Sequence, residues 1–151
     1  MPQVAVTLIL AAAVVMIFYL FVTLGQRIQQ KTFLVSGMGF LLYTAVTGII
    51  YIFYEMMPDY SPEKYHWLLR AHSFASLYGW NLCGLAIICR YHDFPLRLHS
   101  RYLIYLHWIT VIFLAPLGTY YLHFAVLTMI GYAALLVMIL FSKNRVRPIQ
   151  L

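Results

Sequence analysis

The residues of this chain best suited to chemistry are its histidines, because an imidazole ring can bind a metal or haem iron, or carry a proton, near neutral pH. There are six, at His66, His72, His92, His99, His107 and His123. The 151-residue chain has few other reactive groups, with two cysteines and four acidic residues. What the histidines can do therefore depends on where the surrounding apolar segments place them.

These apolar segments have the length of membrane spans. Each is close to the roughly 20 residues that cross a hydrocarbon core about 30 Å thick. Hydrophobic residues make up 64% of the chain and charged residues 9%, which leaves no material for a soluble domain. We predict one all-α domain over residues 1–151, a bundle of five transmembrane helices. The predicted spans are Val4–Leu24, Phe33–Tyr54, Trp67–Cys89, Tyr102–Gly118 and Leu122–Phe141.

The charged residues indicate the orientation of the bundle. With the N-terminus outside, all basic residues except Lys64 and Arg70 flank the cytoplasmic ends of the spans, whereas Glu55, Asp59 and Glu63 lie outside. This positive-inside asymmetry predicts an outer N-terminus and a cytoplasmic C-terminus. Topology and anionic lipid also account for the net charge of +6, so we expect a lipid bilayer as a partner and no nucleic acid.

Two histidines fall inside predicted spans, each roughly 8 Å from a membrane surface at helical rise. His72 lies in the outer half of the third span and His107 in the inner half of the fourth. Ionisable groups at that depth often mark functional sites, but a neutral imidazole bonded between helices is an equal alternative. Their depths differ by roughly 14 Å in a core about 30 Å thick, too far for one haem. His123, at the start of the fifth span, is the better partner for His72, and His107 would serve a second site or a structural bond.

The third span carries a stripe of small and polar residues at helical spacing. The stripe consists of His72, Ser76, Gly79, Cys83 and Ala86. Such a surface allows a helix or a flat macrocycle to approach closely. Asn81 falls on the opposite face, where we expect a buried amide with its own partner. The third span is therefore predicted to be central, with neighbours on both faces.

The segment from Arg70 to Trp80, followed by Gly84, resembles a helix found in relatives of the haem–copper oxidase catalytic subunit, with a histidine, a small apolar stretch, Gly-Trp and Gly. It is most similar to small membrane proteins built as fragments of that subunit. The same pattern accommodates Pro95, Leu96-Arg97-Leu98, His107-Trp108 and Pro116-Leu117-Gly118. The similarity covers about residues 70–118. The family's second histidine is replaced by Phe74, and the copper-binding trio cannot be reproduced, so the resemblance implies only His72 as a haem ligand.

Three functions stay open. The first is an integral membrane subunit of a larger respiratory-type oxidoreductase in the bacterial inner (cytoplasmic) membrane, working in electron transfer with other membrane subunits, quinone and one b-type haem. Its candidate cofactor-binding residues are His72, His123 and His107, and no catalytic residue is predicted. The second is a cofactor-free structural or assembly subunit of a membrane complex. The third is a stand-alone membrane enzyme acting on lipid or quinone, which would need a cluster of acid, base or thiol groups that the sequence lacks.

Overall fold

The computed structural model describes residues 2–25, 31–89 and 101–141, and within these ranges the chain consists of helices and turns without a strand. The all-α fold class is therefore confirmed for the described part of the chain. Helix α1 is Pro2–Leu24, α2 is Lys31–Glu55 and α5 is Leu122–Phe141. Helix α3 joins Pro62–Phe74, a π-helical segment Ala75–Asn81, and Leu82–Cys89 without interruption. Helix α4 likewise joins Arg101–Ile109, a π-helical segment Thr110–Leu114, and Ala115–Gly118.

Four of the described helical stretches are long and apolar enough to cross a membrane. They are Val4–Leu24, Lys31–Glu55, Arg101–Gly118 and Leu122–Phe141. Helix α3 covers the predicted third span but is not among these four, and it carries the polar side chains of His72, Ser76 and Asn81. The count of five spans and their orientation stay predictions.

The helices pack in chain order, with α3 between α2 and α4, α5 against α4, and α1 at the edge against α2. One group of buried side chains joins α2 to α5, and it comprises Phe33, Cys83, Ala86, Leu103, Leu135 and Ile139. A second group, Phe40, Ala75 and Val111, joins α2, α3 and α4. Helix α1 contributes little to this core, since only 6% of its most apolar window is buried.

Two glycines allow α2 and α3 to pack closely. A Cβ atom on Gly79 would lie 2.5 Å from Cγ of Phe40, and one on Gly37 would lie 2.7 Å from Cβ of Cys83. Both distances are shorter than real carbon contacts allow. The small residues of α3 thus contact another helix, as the sequence stripe predicts. Cys83 itself is a buried free thiol in this contact.

The turn between α2 and α3 is held by tyrosines. The hydroxyls of Tyr51 and Tyr60 are 2.7 Å apart, and the ring of Tyr65 stacks on both Tyr54 and Tyr60, with centroid distances of 4.3 and 5.9 Å. Helix α3 begins just after this turn, where Ser61 is extended and a proline takes the first helical position. Aromatic groups of this kind are typical of a membrane interface.

Candidate functional site

His72 is half-buried on α3 and faces α2. Its Nδ1 lies 3.0 Å from the carbonyl oxygen of Thr44 and 3.2 Å from Oγ1 of Thr47. Because the carbonyl oxygen can only accept, Nδ1 carries the proton and donates it. The ring also packs on Gly48, where an added Cβ would lie 3.2 Å from Cε1.

This arrangement fixes the tautomer of neutral His72. With the proton on Nδ1, the lone pair is on Nε2, which makes no hydrogen bond in the described part of the chain. A backbone carbonyl that orients the imidazole through Nδ1 is the usual support of a metal-binding histidine. The same bond is also what a purely structural histidine makes between two helices.

His107 lies in the core, with 1% of its surface exposed. Its Nε2 is 2.6 Å from the carbonyl oxygen of Tyr78, and its Nδ1 is 3.8 Å from Sγ of Cys83. Nε2 therefore donates to the carbonyl, and Nδ1 is left to accept the weak thiol hydrogen. Both ring nitrogens are engaged by protein groups, so this arrangement leaves neither of them for a haem or a metal.

The π-helical segments explain why Tyr78 can accept this bond. A π turn interrupts the regular α-helical hydrogen-bond pattern, and a side chain can then bond to a backbone group of the helix. Tyr78 lies within the π-helical part of α3, and His107 lies three residues before the π-helical part of α4 begins at Thr110. The His107 bond therefore links the π-helical segment of α3 to the regular part of α4.

His123 begins α5 as an exposed side chain, and its ring contacts those of Tyr121 and Phe124. The structure shows no hydrogen bond or ring contact between His123 and His72. Their joint role as ligands stays a prediction. Among the described residues, no group of three or more His, Cys, Asp or Glu side chains could hold a metal ion.

Asn81 corrects one expectation from the sequence. Its side chain is exposed on the outer surface of α3 rather than buried, and it makes no hydrogen bond in the described part of the chain. Leu77, Leu85 and Ile88 lie on the same exposed surface, at 56%, 52% and 75% exposure. Gly84 is next to them, and a Cβ there would meet no atom within 4 Å. We call these five residues the Asn81 face.

A cavity open to the bundle surface lies between α3, α4 and α5 and has a volume of 270 Å³. Its walls are mostly apolar and aromatic. They are formed by Phe74, Tyr78, Ala115, Gly118, Thr119, Ala125, Thr128, Met129 and Tyr132. The Tyr78 and Tyr132 rings lie against each other at a centroid distance of 4.6 Å. The hydroxyl of Tyr132 is buried and has no hydrogen-bond partner in the described residues.

The positively charged side chain of Arg70 lies next to one wall of this cavity. The guanidinium of Arg70 donates to Oγ1 of Thr119 over 2.9 Å and lies 4.8 Å from the ring centre of Tyr120. Arg70 has no carboxylate partner in the described part of the chain. A guanidinium has five N–H donors, so most of its hydrogen-bonding capacity is still available.

No protein-family model, no curated protein and no solved structure matches this chain. The similarity to fragments of the haem–copper oxidase subunit therefore stays a prediction based on motif residues alone. Part of that motif, Pro95 and Leu96-Arg97-Leu98, lies outside the described residues, as do His92 and His99. The described part of the motif shows His72 and His107 in separate bonds, to the carbonyl oxygens of Thr44 and Tyr78 respectively.

Proposed function

We propose that this chain is a structural subunit of a larger membrane complex, with five spans, an outer N-terminus and a cytoplasmic C-terminus. The observation that carries the proposal is the amide of Asn81, which is exposed and makes no hydrogen bond to any residue that the structure describes. Asn81 is roughly 12 Å from the Cys89 end of its helix and farther from the Trp67 end, at 1.5 Å per residue. In the proposed span, the amide is therefore within the hydrocarbon region.

A carboxamide at that depth needs a hydrogen-bonding partner. Transfer of an unpaired amide into an apolar environment costs roughly 2–7 kcal/mol, depending on the reference state. In membranes, asparagine side chains commonly bond across helix pairs, and small residues let the two backbones approach. The Asn81 face offers both features, since Gly84 is open beside the amide. We expect a helix of another subunit to cover this face.

The cofactor-free role is favoured by the bonds of the histidines. His107 has both ring nitrogens bound within the protein, and His72 joins α3 to the backbone of α2 through Thr44. These bonds account for the burial of the two histidines as helix-packing residues. In this role the chain holds partner subunits in place within the bilayer.

A second candidate is the respiratory-type oxidoreductase subunit of the bacterial inner membrane, with electron transfer through one b-type haem and with quinone as a partner. The observation in its favour is the Nδ1 bond of His72 to Thr44, which leaves the Nε2 lone pair for iron. Haem would supply one-electron transfer when bound. His107 does not fit as a ligand in its present bonds, and His123 is exposed on α5.

Co-purification from the native membrane tests the structural role. We would compare the wild-type chain with Asn81→Leu and with Thr23→Leu, a matched control on exposed α1 whose hydroxyl bonds only to its own helix carbonyls. The proposal expects partner chains with the wild type and with Thr23→Leu, and their loss in Asn81→Leu. Equal recovery of partners with all three proteins would contradict the role of the Asn81 face.

A further inference from the structure

The cavity between α3, α4 and α5 is not needed for the packing role of the subunit. It is an open groove of 270 Å³, close to the lower end of ordinary ligand sites at about 300 Å³. The volume is sufficient for one ring or a short stretch of hydrocarbon chain.

The cavity reaches the surface of the bundle. Two of its lining residues, Tyr78 and Met129, are exposed, at 42% and 72%. Both belong to helices proposed to span the membrane, so this opening faces the hydrocarbon region. A molecule dissolved in the bilayer can therefore enter sideways without crossing water.

The polar groups are arranged for a ligand that accepts hydrogen bonds. Arg70 donates one hydrogen bond to Thr119, a residue of the cavity wall, and its other N–H groups are available to a ligand. The Tyr132 hydroxyl is a buried donor without a partner in the described residues. By contrast, the hydroxyl of Thr128 already donates to the carbonyl oxygen of Phe124, and that of Thr119 to Pro116.

We propose that this cavity binds the apolar part of an amphipathic molecule whose oxygen-bearing head group accepts hydrogen bonds from Arg70. Phospholipids and isoprenoid quinones share this chemistry, with phosphate or carbonyl oxygens on a hydrocarbon body. Arg70 binds the head group at the interface end, the rings of Phe74 and Tyr78 contact the apolar body, and the Tyr132 hydroxyl donates to a second oxygen of the molecule. The site goes beyond the proposed packing function and does not depend on the Asn81 face.

The test uses the full chain in nanodiscs and a phosphatidylglycerol with a photoreactive diazirine on its acyl chain. Labelled peptides are located by mass spectrometry. We expect labels on the peptides around Ala115 and Met129 in the wild type. Ala125→Leu fills the cavity and should reduce this labelling several-fold. Ala133→Leu, which adds the same volume to an exposed position of the same helix, should leave it unchanged.

Arg70→Gln provides a second variant that leaves the cavity volume intact, and it should also reduce labelling. Competition with unlabelled molecules then distinguishes a phospholipid ligand from a quinone ligand. Displacement by unlabelled phosphatidylglycerol assigns a phospholipid, and displacement by decylubiquinone assigns a quinone. Equal labelling of the wild type, Ala125→Leu and Arg70→Gln would overturn the proposal. So would the absence of labelled peptides at this cavity, even if partner subunits still co-purify.

Discussion

The imidazole of His107 donates from Nε2 to the backbone carbonyl oxygen of Tyr78 across 2.6 Å, and this bond joins the π-helical part of α3 to the regular α-helical part of α4. The ring lies between Phe33 and Phe40, at centroid distances of 6.3 and 4.8 Å. A polar side chain is thus used in the core because a backbone group of the neighbouring helix needs a donor there.

Replacement of His107 by leucine should destabilise the protein while keeping the core nearly filled. Without the imidazole, the Tyr78 carbonyl loses its donor, and an unpaired buried acceptor costs about 1–3 kcal/mol. Unfolding in mixed micelles measures the change in the free energy of unfolding. His123→Leu is the matched control, since that side chain is exposed. Equal stability of the two variants would show that the Tyr78 bond contributes nothing.

Gly79→Ala and Gly84→Ala should have opposite consequences although they are five residues apart in one helix. A Cβ on Gly79 would lie 2.5 Å from Phe40, whereas a Cβ on Gly84 would meet nothing within 4 Å. Overpacking of this kind costs typically 1–3 kcal/mol, and alanine in an open helical position is about 1 kcal/mol more favourable than glycine. Thermal unfolding of the isolated chain should show a lower midpoint only for Gly79→Ala. A loss of the same size in both variants would contradict the close α2–α3 contact.

The Tyr60 phenol should ionise at a higher pH than an ordinary tyrosine. Its hydrogen bond with Tyr51, followed by partial burial and nearby negative charge, raises the pKa of Tyr60 from 10.0 to about 12. A raised pKa stabilises the protonated form in the folded state, so its contribution is fully present below pH 10 and is lost as the pH rises through about 12. The effect on stability is small because the half-buried Tyr60 side chain is still in contact with solvent.

Near-ultraviolet absorbance as a function of pH measures this titration. The difference between the wild type and Tyr60→Phe should isolate one phenol that ionises near pH 12. In a Tyr51→Phe background, the same difference should move back towards pH 10, because the hydrogen bond is the main cause of the shift. A Tyr60 phenol that titrates near pH 10 in both backgrounds would mean that the two hydroxyls are not bonded.

His72 separates the two candidate functions. If the chain carries a b-type haem, the reduced-minus-oxidised spectrum of the purified complex should contain a haem signal that is lost in His72→Ala. In the cofactor-free role, the spectrum is the same for both proteins, and the variant loses only the bond to Thr44. That bond is worth about 0.6 kcal/mol if it resembles the average interhelical hydrogen bond in membranes. A haem signal that persists in His72→Ala would exclude His72 as an essential ligand.

The sequence predicts the helical framework well because span length, turn residues and small-residue stripes are local signals. The predicted span Trp67–Cys89 corresponds to most of α3, and Leu122–Phe141 corresponds to the whole of α5. The stripe of small and polar residues on the third span, which includes Gly79, correctly predicts close helix packing. The residue pattern gives no sign of the π-helical segments. The sequence analysis places side chains around a helix at 100° per residue, and a π-helical turn changes this angle, so side chains beyond it point in other directions than predicted.

The remaining features depend on contacts between distant residues. A buried Asn81 amide is the sequence-based reason for predicting neighbours on both faces of α3, but the described helices leave the Asn81 face uncovered. The cavity arises where Ala115 and Ala125 leave space between their helices. Their small size is evident from the sequence, but their position against Tyr78 and Tyr132 depends on how the helices pack.

The most direct test of the structural-subunit role is the mass of the particle that contains this chain, measured by native mass spectrometry after gentle release from its native membrane. The account predicts a particle well above the 17.6 kDa of one chain. Dissociation of that particle should yield this chain together with at least one further membrane-spanning chain. A stable particle of one chain with lipid only, from membranes in which Asn81 is unchanged, would contradict the proposed role.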